Sequence, residues 1–263
     1  MSTFANTVGD SWTLTKRALM HWQRQPMTPI AGVLFSFMFM LMFGFLFGGA
    51  MHVPGGGDYV DFVVPGILGM SMMFGLESTM LNVVEDKKAG LSDRFRTMPM
   101  SRAAVLSGRA SADVLDAGLN LVALVGCGLL IGWRFDASTA EFVAAMALLL
   151  LLRTSMIWVG VFLGVVIDSP DATALVQILV FPLAFVSSVF VPTSTMPDWL
   201  APIADWNPLS ATVAAVRELL GSPGAGGNAW PVEHATLLAT GWPVVITAVF
   251  GALAVRGYKR RGR

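Results

Sequence analysis

Residues 28–49 read TPIAGVLFSFMFMLMFGFLFGG, a run of 22 residues with no charged side chain. About 20 apolar residues in helical form cross the ~30 Å hydrocarbon core of a bilayer, so this segment already sets the solvent in which the fold is built. Working outward from it, five further runs of the same kind follow, at about 60–83, 108–132, 141–167, 172–191 and 235–256. The sequence therefore predicts an all-α membrane protein with six transmembrane helices and no soluble domain. Composition agrees, with 55% of the 263 residues hydrophobic and 13% charged.

The flanks refine this plan. Between residues 3 and 24, Phe4, Val8, Trp12, Leu19 and Trp22 recur at helical steps, with Lys16, Arg17 and Arg24 among the polar positions. That pattern predicts an interfacial amphipathic helix with its cations near lipid phosphates. Pro26 and Pro29 then turn the chain into the first span. No secretory signal is expected, because the first apolar run is long enough to span. Cys127, the one cysteine, sits in an apolar run and suggests neither a disulfide nor a redox or metal role.

Lysine and arginine set the orientation. Three precede the first span, six lie between Lys87 and Arg109 and five follow from Arg256, which is 14 of 17. The excess predicts that both termini are cytoplasmic. Arg134 and Arg217 are exceptions on the outer side, and Arg153 lies within a span.

The connection between the last two spans, VFVPTSTMPDWLAPIADWNPLSATVAAVRELLGSPGAGGN (189–228), carries five prolines and is no simple loop. Asp205 or Asn207 could cap a helix over 208–220, with Pro208 in its first position. Trp199 and Trp206 suit a membrane interface. The expectation is a pair of short re-entrant helices at the outer leaflet, with a long external amphipathic loop as the alternative.

Motifs for chemistry on small molecules are missing. The sequence has no GxxxxGK[ST] phosphate loop, no HExxH and no GxSxG. His21, His52 and His234 fall near three different span ends. The expectation is a non-enzymatic chain with no cofactor, no metal and no nucleic-acid partner.

Ionisable groups inside spans cost several kcal/mol and tend to be functional. Arg153 is about twelve residues into the fourth span, and Glu77 in the second span is a candidate partner. The pair could belong to a substrate pathway or gate, or could fix helix packing. Asp113 and Asp116 are expected to pair with Arg109 or neighbouring loop cations. Gly128–Gly132 and Gly160–Gly164 allow close helix approach. The methionine runs FMFMLMFGF and GMSMMFG could line an adaptable apolar path, or simply face lipid.

The loop DKKAGLSDRFRTMPMSR (86–102) carries seven charges in seventeen residues. It holds a short predicted helix from about Leu91 to Met98, ending before Pro99 because the residue ahead of proline avoids helical torsions. Phe95 and Met98 give this helix an apolar edge, while Asp93, Arg94 and Arg96 present charge. Such a helix could dock a partner, or its cations could enforce topology and bind anionic lipid.

Two blocks now carry a resemblance: EDKKAGLSDRFRTMPMSRAAVLSGRASADV (85–114) and FPLAFVSSVFVPTSTMPDWLAPIADWNPLSATVAAVREL (181–219). With WTLTKRALMHWQRQP near the N-terminus, the sequence resembles the membrane subunits of type-2 ABC exporters, most closely the daunorubicin/doxorubicin-resistance-like permeases of actinobacteria. The pair Lys87–Lys88 departs from the shorter, more acidic loop expected there. The resemblance implies a single transmembrane domain over 1–263 in the bacterial inner membrane. A second permease copy, identical or paralogous, and two separate ATP-binding subunits that carry ATP and Mg are implied as well. It makes Glu85, Leu91, Asp93, Arg94, Phe95, Arg96 and Met98 the contacts to the ATPase. It turns the first, second and fifth spans toward the substrate path, with Pro192, Pro197, Trp199 and Trp206 in an outer gate. Hydrophobic or amphipathic compounds (drugs, polyketides, lipids) would be exported. The alternatives are export of a polysaccharide or lipid-linked glycan, or an ATP-independent transporter.

Overall fold

The structure, a computed structural model, describes residues 27–48, 53, 56–88, 102–167, 171–224 and 229–260. The expected interfacial helix at 3–24 and the loop helix from Leu91 to Met98 lie outside these residues. Helix α1 (Met27–Leu41) continues through a π-helical stretch, Met42–Phe47. There follow α2 (Tyr59–Lys88), α3 (Arg102–Leu130) and α4 (Thr139–Val166). The chain then forms α5 (Asp171–Phe185), the short α6 (Ala201–Asp205), α7 (Pro208–Leu220), one turn of α8 (Trp230–Glu233) and α9 (Ala235–Arg260).

Among the described residues, five helical stretches are long and apolar enough to cross a membrane: Ile30–Phe47, Tyr59–Lys88, Ala110–Leu130, Thr139–Val166 and Ala235–Gly257. The expected span at 172–191 differs. Its helix stops at Phe185 after 15 residues, roughly 22 Å at the helical rise of ~1.5 Å. The backbone beyond it finds its partners elsewhere. Asn207 Nδ2 donates to the carbonyls of Leu183 and Val186, both at 2.8 Å. Ser188 N donates to Ser210 Oγ at 2.9 Å. With these groups satisfied by side chains of the following segment, the helix gains nothing by continuing.

Helix α2 is the central post, packed against α1, α3, α4, α5 and α7; α9 covers α4 and α7. The core between these helices is built from Phe62, Ile67, Met70, Leu149, Leu152 and Val213, with a smaller group (Val83, Ile157, Val161, Ala254) toward the other end of α2. In a bilayer, apolar burial gains little over contact with lipid tails, so close packing and polar ties must hold the helices together. The α2–α4 seam shows the first. A Cβ added at Gly160 would lie 2.6 Å from the Leu76 carbonyl oxygen, and one at Gly164 would lie 2.7 Å from Val83 Cβ.

Local signals explain several ends. Ser138 opens α4 with a capping box: Glu141 N donates to Ser138 Oγ at 3.3 Å, and Ser138 N donates to Glu141 Oε2 at 2.7 Å. Asn207 caps α7 by accepting from Leu209 N at 2.9 Å, with Pro208 at the first position. Gly221 ends α7 at φ +65°, a left-handed conformation that glycine adopts without strain. Helix α7 therefore has the bounds expected from sequence, and of the two candidate caps Asn207 is the one used.

Candidate functional site

Two buried arginines organise the helices. Arg153, on α4, is 3% exposed. Its Nη2 donates to Thr79 Oγ1 on α2 at 3.2 Å, and Thr79 Oγ1 lies 2.9 Å from Asp113 Oδ2 on α3, to which it donates. The charges of Asp113 and Asp116 reach the guanidinium. The absent side chain of Gly75 gives it room, since a Cβ there would collide with it. Arg153 thus ties α2, α3 and α4 together through one hydroxyl.

Glu77 does not join this relay. Gly75 and Thr79 lie on the face of α2 that meets Arg153, and Glu77 is about 200° around the helix from Gly75. Asp113 turns to Thr79; the side chain of Arg109 lies outside the described residues. The sequence did not disclose this geometry, because Thr79 is uncharged and draws no attention in an apolar helix.

Arg217, on α7, was only an exception to the charge rule, yet it is fully buried. Its Nε and Nη2 donate to the Phe62 carbonyl at 2.9 and 2.6 Å. Nη1 donates to Ser188 O at 2.8 Å and Nη2 to Val189 O at 3.0 Å. The guanidinium also lies over the Phe62 ring, 3.6 Å from its centroid, a cation–π contact. Tyr59 Oη takes the next carbonyl, Phe190 O, at 2.8 Å. The unwound segment after α5 is therefore pinned to α2 and α7 through its own backbone. One signal for this was present in the sequence: Leu209, Val213, Val216 and Leu220 mark the buried face of α7, and Arg217 is four residues from Val213 on that face.

A continuous aromatic ladder links α1, α2 and α5. Phe35, Phe39, Phe43 and Phe47 contact one another along α1 at centroid distances of 4.8, 5.7 and 5.2 Å. Phe190 lies 4.1 Å from Phe43 and 5.0 Å from Phe185. Phe181 completes the chain, 4.8 Å from Phe185 and 5.7 Å from Phe74 on α2. Several of these rings keep an open edge; Phe35 is 48% exposed and Phe185 39%.

The residues expected in an outer gate lie on the segment beyond α5. Pro192 O accepts from Thr195 N at 3.0 Å and Pro197 O from Leu200 N at 2.8 Å, so each proline precedes a tight turn. Trp199 is exposed, and Trp206 stacks on Trp230, which stacks on His234. At the other end of α2, Lys87 Nζ donates to Ile167 O at 2.6 Å and Val165 O at 3.3 Å. This lysine caps the C-terminus of α4. Glu85 is exposed on the last turns of α2. Leu91, Asp93, Arg94, Phe95, Arg96 and Met98 lie outside the described residues.

The comparisons fit this arrangement. Residues 10–220 match the ABC-2 type transporter family. The chain belongs to that family. It is 34% identical over 258 residues to a daunorubicin resistance ABC transporter permease protein of Streptomyces coeruleorubidus, covering 98% of this chain and 88% of that one. A doxorubicin resistance ABC transporter permease protein of Mycobacterium tuberculosis is 26% identical over 198 residues, 74% of this chain and 68% of its own length. This ABC-2 family member is thus an integral membrane protein, similar to chains named as permeases rather than as ATPases.

Proposed function

We propose that the chain is the membrane permease subunit of an ATP-driven exporter of hydrophobic or amphipathic compounds. It acts as one transmembrane domain in the bacterial inner membrane, with both termini cytoplasmic. The observation that carries the reading is the family match over residues 10–220, reinforced by the drug-resistance permease that aligns along nearly the whole chain. In this reading α1, α2 and α5 face a path shared with a second permease copy. The aromatic ladder gives that path an apolar wall, which favours apolar compounds over glycans. The turns at Pro192 and Pro197, with Trp199 and Trp206, form the outer gate and re-enter the outer leaflet.

Two ATP-binding subunits on a separate chain carry ATP and Mg, and the permease holds no cofactor itself. The loop 86–102 seats in the ATPase through Leu91, Phe95 and Met98, with Glu85, Asp93, Arg94 and Arg96 supplying charge. Lys87 supports the reading, because its cap on α4 fastens the root of the loop to the helix bundle. Copurification with the ATP-binding subunit tests the coupling. Arg94→Glu or Arg96→Glu is expected to lose the ATPase, or to leave hydrolysis that no longer drives transport, while the protein still inserts. Normal copurification and transport in both variants would overturn it.

A further inference from the structure

Glu77 is an ionisable residue inside an apolar spanning helix, and such a residue needs a reason to be there. Arg153 is not the reason, since Thr79 and the α3 carboxylates hold that guanidinium on the opposite side of α2. Among the described residues no side chain hydrogen-bonds or pairs with Glu77. Glu77 is only half-buried, between buried Leu76 and exposed Ser78. Residues three apart on a helix are neighbours, which sets Glu77 beside Phe74. Phe74 in turn stacks on Phe181 of α5, with the rings within 12° of parallel. From there the ladder runs through Phe185 and Phe190 to Phe43. A lone carboxylate at the foot of a stack of π faces joins two groups that attract cations. Two neutral aromatic walls would accept any apolar compound; the carboxylate adds a preference of one sign.

We propose that Glu77 is the charge-selecting residue of the substrate path, receiving the cationic group of an apolar organic cation whose aromatic body stacks against Phe74 and Phe181. The assignment rests on the reading that α1, α2 and α5 face the path. It makes the preferred substrates amphipathic aromatic cations, and it makes neutral compounds of equal size poorer ones.

Two aromatic dyes of opposite character test it, each compared between wild type and variant: rhodamine 6G, a cation, and Nile red, which is neutral. Binding to the purified chain with its ATP-binding subunit is followed by fluorescence anisotropy, and ATP-driven uptake is followed in inside-out vesicles. Glu77→Gln, close in shape to the native residue, is expected to weaken rhodamine 6G binding about tenfold, the order of one charge-assisted contact. Nile red binding is expected to stay unchanged, and Glu77→Asp to recover part of the loss. Phe74→Leu should weaken both dyes alike. Equal effects of Glu77→Gln on the two dyes, or no effect on either, would overturn the proposal and point to packing or to contact with a second copy. ATP-driven uptake of Nile red with no preference for rhodamine 6G overturns the charge selection while leaving the exporter reading intact. Binding that depends on Glu77 without any ATP-driven uptake upholds the charge selection and counts against the exporter.

Discussion

Arg153 and Arg217 are both buried, and the protein compensates them differently. Arg153 reaches the Asp113 carboxylate through Thr79, whereas Arg217 is surrounded by carbonyls and a phenyl ring. Removing Arg217 strands the carbonyls of Ser188 and Val189 in the unwound segment, and each buried acceptor left without a donor costs about 1–3 kcal/mol. Arg217→Met is therefore expected to lower the thermal unfolding temperature in detergent by about 10 °C. Arg217→Lys should recover less than half of that, because an ammonium cannot reproduce the planar fork that serves two elements at once. A wild-type unfolding temperature for Arg217→Met would refute the staple. Charge counting placed Arg153 inside a span but could not see its partner. The same counting leaves Arg217 only as an exception on the outer side, because charge counts carry no information on which face of α7 it occupies.

Among the elements, α5 departs furthest from its sequence pattern. The apolar run continues past Phe185, and nothing in hydropathy marks a stop there; the stop comes from Asn207 and Arg217, more than twenty residues later in the chain. Long-range capping of this kind leaves no local trace. By contrast the bounds of α7 and its first-turn proline were legible and its cap was narrowed to Asp205 or Asn207, because these are local chemistry. The two cases meet at Asn207, which caps α7 and terminates α5. Asn207→Ala should cost about 1 kcal/mol for the lost cap alone. It should also speed hydrogen exchange across 183–192 severalfold while leaving α2 and α4 protected. Unchanged exchange in that segment would mean that the end of α5 is set by something other than Asn207.

For the whole molecule, the membrane class and the family follow from the apolar runs and two motif blocks, and both stand. The position of Glu77, the aromatic ladder and the glycine seam between α2 and α4 depend on how helices rotate against one another, which a single sequence leaves open. Together they describe a bundle in which Thr79 ties α2 to α3 and α4 through polar contacts, while an aromatic wall and the Glu77 carboxylate lie on other faces of α2. Such a bundle suits a permease whose motion is supplied from outside, through the loop that Lys87 anchors. The most direct test is uptake of an amphipathic dye into inside-out vesicles holding this chain with or without its ATP-binding subunit. The account predicts accumulation only when both chains and hydrolysable ATP are present. Accumulation by this chain alone, driven by an ion gradient and indifferent to ATP, would contradict it.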